Sequence, residues 1–376
     1  MKIGFDAKRA FQNSRGLGNY SRNLISGLSE YFPDNEYILF GKKPGGGDNL
    51  LWTKTLPGSI EICEPKSDSK IYQSVWRSYL VNNDISKNQP DIYHGLSHEI
   101  PLKSNRLNVK LVVTVHDLLF LRFKENFTRI DREIYRSKIK YSCKKSDRII
   151  AISKQTKADL INFLNVPEEK IEVVYQSCSS RFYHEVPDAI KRAVQQKYQL
   201  PNEFLLYVGA LVKHKNIERI IEAVALLPNE IKLPLVIVGK ENSYKKQLMG
   251  KIDKFKLGNK VIFLNYVDAE DMPSIYQLAK LLVWPSLFEG FGIPIVEALF
   301  SKLPVITSNT GCFSEAGGEG SYYVDPNNSE EISKAIYEIL TREGLSSKMQ
   351  RVGSEYAKKF HIQNTTAKLM ELYSSL

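Results

Sequence analysis

Residues 281–298 read LLVWPSLFEGFGIPIVEA, and the order of residue types in this stretch decides the architecture. LLVW is a short, wholly apolar run of the kind that forms a strand covered on both faces. PSLFEGFG supplies turn residues, and Pro294 can open a helix because its first position needs no amide donor. A strand, a glycine-bearing turn and a helix start in direct succession make the anion-binding end of a parallel α/β sheet. Gly290 and Gly292 let backbone come close to a ligand, and the amides near Phe291, Gly292 and Ile293 would point, with the helix dipole, at an anion. Glu289 precedes the helix and Glu297 is expected within its first turn, so both carboxylates would line one crevice, where each can grip a pair of hydroxyls. The plainer alternative makes Glu297 a complement to the helix N-terminus and Glu289 an exposed residue.

Outward from this segment, FLLYVG, LPLVIVG, KVIFL and PVITS repeat the apolar run, separated by helical patterns. The first half alternates in the same way: KIGFD, a helix from Gly18 to Phe32, EYILF, DIYH, VKLVVTVH, RIIAIS and IEVVY. Strands alternating with helices imply parallel sheets. The stretch from Gln176 to Asp188 breaks the rhythm, and 376 residues exceed one ordinary core. The expected class is therefore α/β, with two Rossmann-like doubly wound domains facing each other across a cleft. Residues 1–185 form the first, 186–355 the second, and a last helix over 356–376 could reach back to the first.

A composition of 43% hydrophobic and 25% charged residues is that of a globular protein. No run of about 20 apolar residues is present, and Lys2–Asp6 enters a strand pattern rather than a signal segment, so a cytoplasmic protein is expected. Cys63, Cys143, Cys178 and Cys312 lack metal or redox spacing and suit reduced thiols. The net charge of +10 is densest between Arg122 and Arg148, a helical pattern whose Ile130, Ile134, Tyr135, Ile139 and Cys143 are spaced for one buried face. That basic segment reads either as a solvated face or as a dock for an anionic membrane surface. No nucleic-acid-binding motif accompanies it.

Other segments offer chemistry. Lys213, His214 and Lys215 follow FLLYVG, and fixed cations there could neutralise a departing diphosphate. The chain has no Asp-x-Asp pair, so no metal and no cofactor is expected. RGLGNYSRNL follows KIGFD and opens a helix, so Gly16 and Gly18 resemble part of a dinucleotide turn. Ser21 stands at the third glycine's place, however, and Asp34 and Glu36 precede the next strand, which argues against a nicotinamide enzyme. His116 and Asp117 end the strand LVVTV, where side chains emerge into the crevice; an imidazole there could bond a sugar hydroxyl or act as a structural cap. His94 and His98 have helical metal-pair spacing, but Gly95 and Pro101 suit a loop, so a metal is disfavoured.

Taken together these segments resemble glycosyltransferase family 4, the group 1 retaining enzymes of GT-B fold, over almost the whole chain. EGFGIPIVE carries the match, with seven residues between Glu289 and Glu297, followed by PVITSN and the acidic Glu315. The resemblance implies that Glu297 binds the donor ribose, that Glu289 and the amides of Phe291 to Ile293 hold the donor sugar, and that Lys215 binds the diphosphate. It also places the backbone of Tyr266 and Val267 at the nucleobase, GLGNY near donor phosphate and acceptor, and His116, with Asp117 on the acceptor side, at the transferred sugar. Glu289, Lys215 and His116 would be the catalytic set, and front-face displacement with retention the mechanism, the departing phosphate itself helping to deprotonate the acceptor hydroxyl.

Departures from the family pattern are His214 where an arginine is common, Arg15 where a second glycine is, and Ser314 where a proline is. A histidine supplies charge only when protonated, so diphosphate affinity would fall as pH rises through its titration range. By resemblance the donor is GDP-mannose and the acceptor a saccharide or lipid-linked saccharide of a bacterial surface polysaccharide such as lipopolysaccharide, at the inner face of the plasma membrane. Two other readings stand: a sugar-nucleotide 2-epimerase of the same architecture, which needs no acceptor, and a basic nucleic-acid-binding protein without catalysis.

Overall fold

The computed structural model describes the backbone of residues 1–376 and the side chains of all but Asp48 and Asn105. The chain divides into two units, Met1–Ser177 with Phe360–Leu376, and Cys178–Lys359. Residues 178–185, assigned from sequence to the first domain, belong to the second unit. There the Phe182 ring packs edge-on against Tyr276 at 5.2 Å, Tyr183 lies 4.5 Å from Phe300, and the Val186 amide donates to Gln277. The tail falls into the first unit only from Phe360, a few residues later than the expected 356.

The first unit holds seven strands: β1 (Lys2–Asp6), β2 (Glu36–Phe40), β3 (Ser59–Cys63), β4 (Ile92–Gly95), β5 (Lys110–Val115), β6 (Arg148–Ala151) and β7 (Ile171–Val173). All pair in parallel, in the order β3-β2-β1-β4-β5-β6-β7. Successive side chains alternate between two cores. Ile3, Phe5, Tyr37 and Leu39 face one, with Leu24, Ile25 and Leu28 of the Gly16–Tyr31 helix, while Ile38, Phe40, Tyr93, Val113 and Val115 face the other. Burial on both faces is why these strands read as continuous apolar runs. The C-terminal helix Ile362–Ser374 places Leu369, Met370 and Tyr373 in the first of those cores.

The second unit repeats the plan with β8 (Leu205–Val208), β9 (Leu235–Val238), β10 (Val261–Leu264), β11 (Leu281–Trp284), β12 (Val305–Ser308) and β13 (Tyr322–Val324). Their order, β10-β9-β8-β11-β12-β13, is again all parallel. In both sheets the winding reverses between the first and fourth strands, β1 and β4 in one and β8 and β11 in the other. Loops leaving the carboxyl ends of such a pair diverge and open a crevice.

The basic segment departs from expectation. The helix covers Arg129–Lys145 and not the whole of 122–148, since Arg122 ends a short helix Leu119–Arg122, Lys124–Asn126 form a 3₁₀ turn and Arg148 starts β6. Its second half is buried through Ile139 and Cys143, but Ile130, Ile134 and Tyr135 are 73%, 48% and 45% exposed. Helical spacing put all five on one stripe. Only its C-terminal part meets the sheet.

Candidate active site

Two loops of the second unit, leaving β8 and β11, are stitched together. After β8 the chain makes a single 3₁₀ turn, Lys213–Lys215, and Asn216 then takes a left-handed conformation with φ +63°. Its side-chain amide donates to the carbonyls of Pro285 (2.9 Å) and Pro326 (2.6 Å), and the Leu287 amide donates to the His214 carbonyl at 2.8 Å. This fastening brings Lys215 Nζ into an ion pair with Glu289 Oε1, both side chains only about one-sixth exposed at 16% and 15%. The same ammonium sits 4.8 Å from the centre of the Trp284 ring, whose Nε1 donates to the Val208 carbonyl at 2.8 Å. The two residues singled out from separate motifs thus meet at the point where the sheet reverses.

The turn that carries Glu289 is braced from β12 and beyond. Ser308 Oγ donates to the Ser286 carbonyl at 2.6 Å, Thr307 Oγ1 to the Trp284 carbonyl at 3.1 Å, and Cys312 Sγ to the Phe291 carbonyl at 2.8 Å. Gly292 caps the helix Ile293–Phe300 at φ +134°, a conformation that side chains rarely adopt, and a Cβ there would lie 3.1 Å from Ile295. Glu297 is the fifth residue of that helix, not in its first turn as expected, because the helix begins at Ile293 and Pro294 takes the second position. It therefore gains little from the helix N-terminus.

Glu297 Oε2 instead accepts a 2.7 Å bond from Tyr276, which belongs to the helix Met272–Leu278. Burial pushes its carboxyl up to about 7, partly opposed by the tyrosine bond. A carboxyl raised on folding stabilises the fold while it is protonated, and that contribution is lost as pH rises from the unfolded value through about 7. Thermal unfolding followed from pH 5 to pH 8 should show falling stability in the wild type and a flatter profile in Glu297→Gln. Identical profiles would mean that this carboxyl is not the group titrating.

Tyr266 and Val267 follow β10, the edge strand of the second sheet, and Tyr266 is 75% exposed. Glu315 lies in the short helix Phe313–Gly317, its carbonyl accepting from Tyr356 at 2.9 Å.

In the first unit Gly16 opens the Gly16–Tyr31 helix with open space where a Cβ would be, whereas a Cβ on Gly18 would fall 1.7 Å from the Asn13 carbonyl oxygen. His116 follows β5 and is buried. Its Nε2 is 2.8 Å from the Leu96 carbonyl and its Nδ1 is 3.3 Å from the Gln176 amide nitrogen, so a sugar hydroxyl must displace Gln176 to reach the ring. Burial, with His98 nearby, lowers its pKa to about 3, leaving the ring neutral. Asp117 Oδ1 accepts from the Leu119 amide at 3.0 Å and caps a local turn. His94 is bonded on both nitrogens, to Tyr373 (2.6 Å) and Thr114 (2.8 Å). Among the described residues no group of three or more His, Cys, Asp or Glu side chains is placed to hold a metal ion. Sequence reasoning missed Asn216, Trp284, Tyr276 and Cys312, whose partners lie 21 to 110 residues away.

Residues 15–177 match the family described as Glycosyltransferase Family 4, and residues 190–360 match Glycosyl transferases group 1. The chain is 30% identical to the O-antigen chain mannosyltransferase B of Escherichia coli over 289 residues, 76% of this chain and 74% of that one. It is also 30% identical to the O-antigen chain mannosyltransferase RfbU of Salmonella typhimurium over 335 residues, 88% and 89% of the two chains. Among solved structures it resembles the Anabaena protein Alr3699/HepE in complex with UDP and glucose, with a TM-score of 0.77 and 20% identity over 100% of both chains. Paired parallel sheets of Rossmann type, the glutamate motif at the reversal point of the second, and relatives spanning most of the chain lead to one assignment: this protein belongs to glycosyltransferase family 4 and is a glycosyltransferase of GT-B fold.

Proposed function

We propose that the chain transfers mannose from GDP-mannose, with retention and without a metal, to a saccharide or lipid-linked saccharide in bacterial O-antigen synthesis. The observation that carries the chemistry is the Lys215–Glu289 pair at the carboxyl ends of β8 and β11. The named activities of the two relatives at 30% identity favour mannose. Lys215, aided by His214, neutralises the departing diphosphate, and Glu289 with the amides of Phe291, Gly292 and Ile293 orients the sugar. Glu297 takes the ribose, the backbone at Tyr266 and Val267 the base, and Gly16 and Gly18 shape the turn near the phosphate. His116 and Asp117 lie on the acceptor side. Charge that grows on the diphosphate during transfer is stabilised more in the transition state than in the ground state, which is the condition for rate acceleration.

The test is a thermal-shift panel of GDP-, UDP- and dTDP-sugars in EDTA, since a ligand of the folded state raises its apparent stability. Selective stabilisation by GDP-mannose, lost in Lys215→Ala and Glu297→Ala, is the expected result. Stabilisation that appears only with added divalent ion would defeat the metal-free reading. Incubation with donor alone should leave the nucleotide-sugar unchanged, and an epimerised product would move the chain to the epimerase reading.

The exposed Ile130, Ile134 and Tyr135 on the basic helix support docking on an anionic membrane from the cytoplasmic side. No helix among the described residues is long and apolar enough to cross a membrane. Sedimentation with phosphatidylglycerol vesicles at low salt should retain the wild type and lose Ile130→Glu/Ile134→Glu by about tenfold or more in partition. Equal partition of both proteins would remove the helix from any membrane role.

A further inference from the structure

The first unit contains cations that its own carboxylates do not neutralise. At the end of β1 Asp6, only 4% exposed, accepts two bonds from Arg77 at 2.9 and 2.6 Å, and the remaining arm of that guanidinium binds Glu99 at 2.7 Å. Glu99 is further held by Lys138 at 3.2 Å. Both carboxylates are committed. Lys8 and Arg9, next along the chain, make no ion pair or side-chain hydrogen bond among the described residues, and Arg9 Nε is shut away from solvent without an acceptor. Burial, followed by the charges of Arg77 and Arg9, pushes the Lys8 ammonium below its ordinary range, with Asp6 and Glu99 acting against the shift.

His98 lies in the loop that leaves β4 and likewise carries a buried polar atom without a partner. Its backbone stands at φ +64°, a left-handed conformation that non-glycine residues adopt uncommonly. Its Nδ1 is buried without a hydrogen-bond partner, and its ring lies 5.2 Å from that of His116. Burial holds the imidazole at about 4, so it is neutral at physiological pH and offers one N–H and one lone pair. Four residues earlier His94 has both nitrogens satisfied. His98 is one of eight non-glycine residues at positive φ among the described residues, so it is the buried ring nitrogen without a partner that calls for a ligand.

Topology puts these groups together. Arg9 follows β1 and His98 follows β4, neighbouring strands in register at Phe5 and His94, and the winding of the first sheet reverses between them. The charge of Arg9 reaches the rings of both His98 and His116. This is the position at which a doubly wound sheet takes its ligand.

We propose that Arg9 and His98 form a second anion site, in the first unit, for a phosphoryl group carried by the acceptor rather than by the donor nucleotide. The Arg9 guanidinium, with the Lys8 ammonium near it, suits a dianion better than a single carboxylate. The guanidinium fork matches two phosphoryl oxygens, and the neutral imidazole donates a further bond. Lys8 adds field without a contact of its own. The donor diphosphate has its own ammonium in Lys215, so a phosphate-bearing acceptor, such as a lipid-diphosphate-linked saccharide, is the ligand left to be explained. The identity of that ligand rests on the proposed transfer to a lipid-linked acceptor, whereas the existence of an anion site does not.

Isothermal titration with inorganic pyrophosphate, on protein saturated with GDP and separately on Lys215→Ala, tests this. Pyrophosphate should still bind in both. Arg9→Gln should weaken it by about tenfold to hundredfold, the usual effect of losing a charge-assisted bond. His98→Asn, which tolerates positive φ, should weaken pyrophosphate while leaving the unliganded melting temperature unchanged or higher, an outcome a purely structural histidine would not give. Pyrophosphate that GDP displaces completely, and that fails to bind Lys215→Ala, would show only the donor site and overturn the proposal. So would pyrophosphate binding indifferent to Arg9→Gln, or a His98→Asn protein that loses stability and keeps its affinity. If GDP does not bind at all, the donor assignment fails and the Lys215→Ala arm still decides the anion site.

Discussion

Lys215→Ala should lower kcat by about 10²–10³-fold, the range seen when one preorganised group facing developing charge is deleted. The ammonium is fixed before substrate arrives: Asn216 fastens its turn to Pro285 and Pro326, and the Leu287 amide fastens it again through His214. Fixed charge needs no reorganisation during the reaction, so its removal should appear in turnover more than in KM. A second consequence complicates the variant. Without the lysine, Glu289 loses its counterion at a site only 15% exposed, and stability should fall by about 1–2 kcal/mol after allowance for the solvent that still reaches the pair. Lys215→Ala/Glu289→Gln separates the effects. The double variant should regain the lost stability and remain slow. Were it to regain turnover, the lysine's task would be to neutralise Glu289 and not the diphosphate; unchanged kcat in the single variant would refute the role outright.

The parts of this site that were legible in sequence are those encoded locally. LLVW, VVTV and FLLYVG are apolar because each strand is covered on both faces, and EGFGIPIVE follows a strand because a turn and a helix start need those residue types in that order. Neither pattern states which loops meet. Asn216 is an ordinary polar residue until its amide finds carbonyls 69 and 110 positions away, and the Tyr276 bond that helps set the Glu297 carboxyl joins two helices. The Arg129–Lys145 helix shows the converse failure. Periodicity gave a helical segment and its apolar stripe, but how far a stripe is covered depends on the neighbours supplied by the rest of the fold: Ile139 and Cys143 join the core, Tyr135 meets the rings of Phe120 and Phe127, and Ile130 and Ile134 stay exposed. His98 was weighed only as one of a pair with His94, because spacing cannot reveal that one ring is saturated with bonds and the other sits on a strained backbone with none.

The two glycines of the first-unit turn were read alike, and substitution should divide them. An alanine at position 18 would put its Cβ 1.7 Å from the Asn13 carbonyl oxygen and 3.0 Å from that of Arg9, contacts with backbone rather than with a yielding side chain. The Asn13 carbonyl has little freedom to retreat, since Arg22 donates to it at 2.8 Å while also holding the Ala10 carbonyl at 2.8 Å. Gly18→Ala should therefore cost about 3 kcal/mol, at the upper end of ordinary overpacking, and lower the first unit's melting temperature by about 6–12 °C. Gly16 has nothing within 4 Å of the same construction. Alanine there should leave the fold intact or stabilise the first helical turn by about 0.5–1 kcal/mol. The open space beside Gly16 is then what a ligand would use, and Gly16→Ala should slow transfer without a loss of melting temperature. On the proposed reading Gly18 serves the chain itself and Gly16 the ligand. Wild-type kinetics in a fully folded Gly16→Ala protein would leave both glycines as structural, and the turn would then owe its glycines to backbone packing alone.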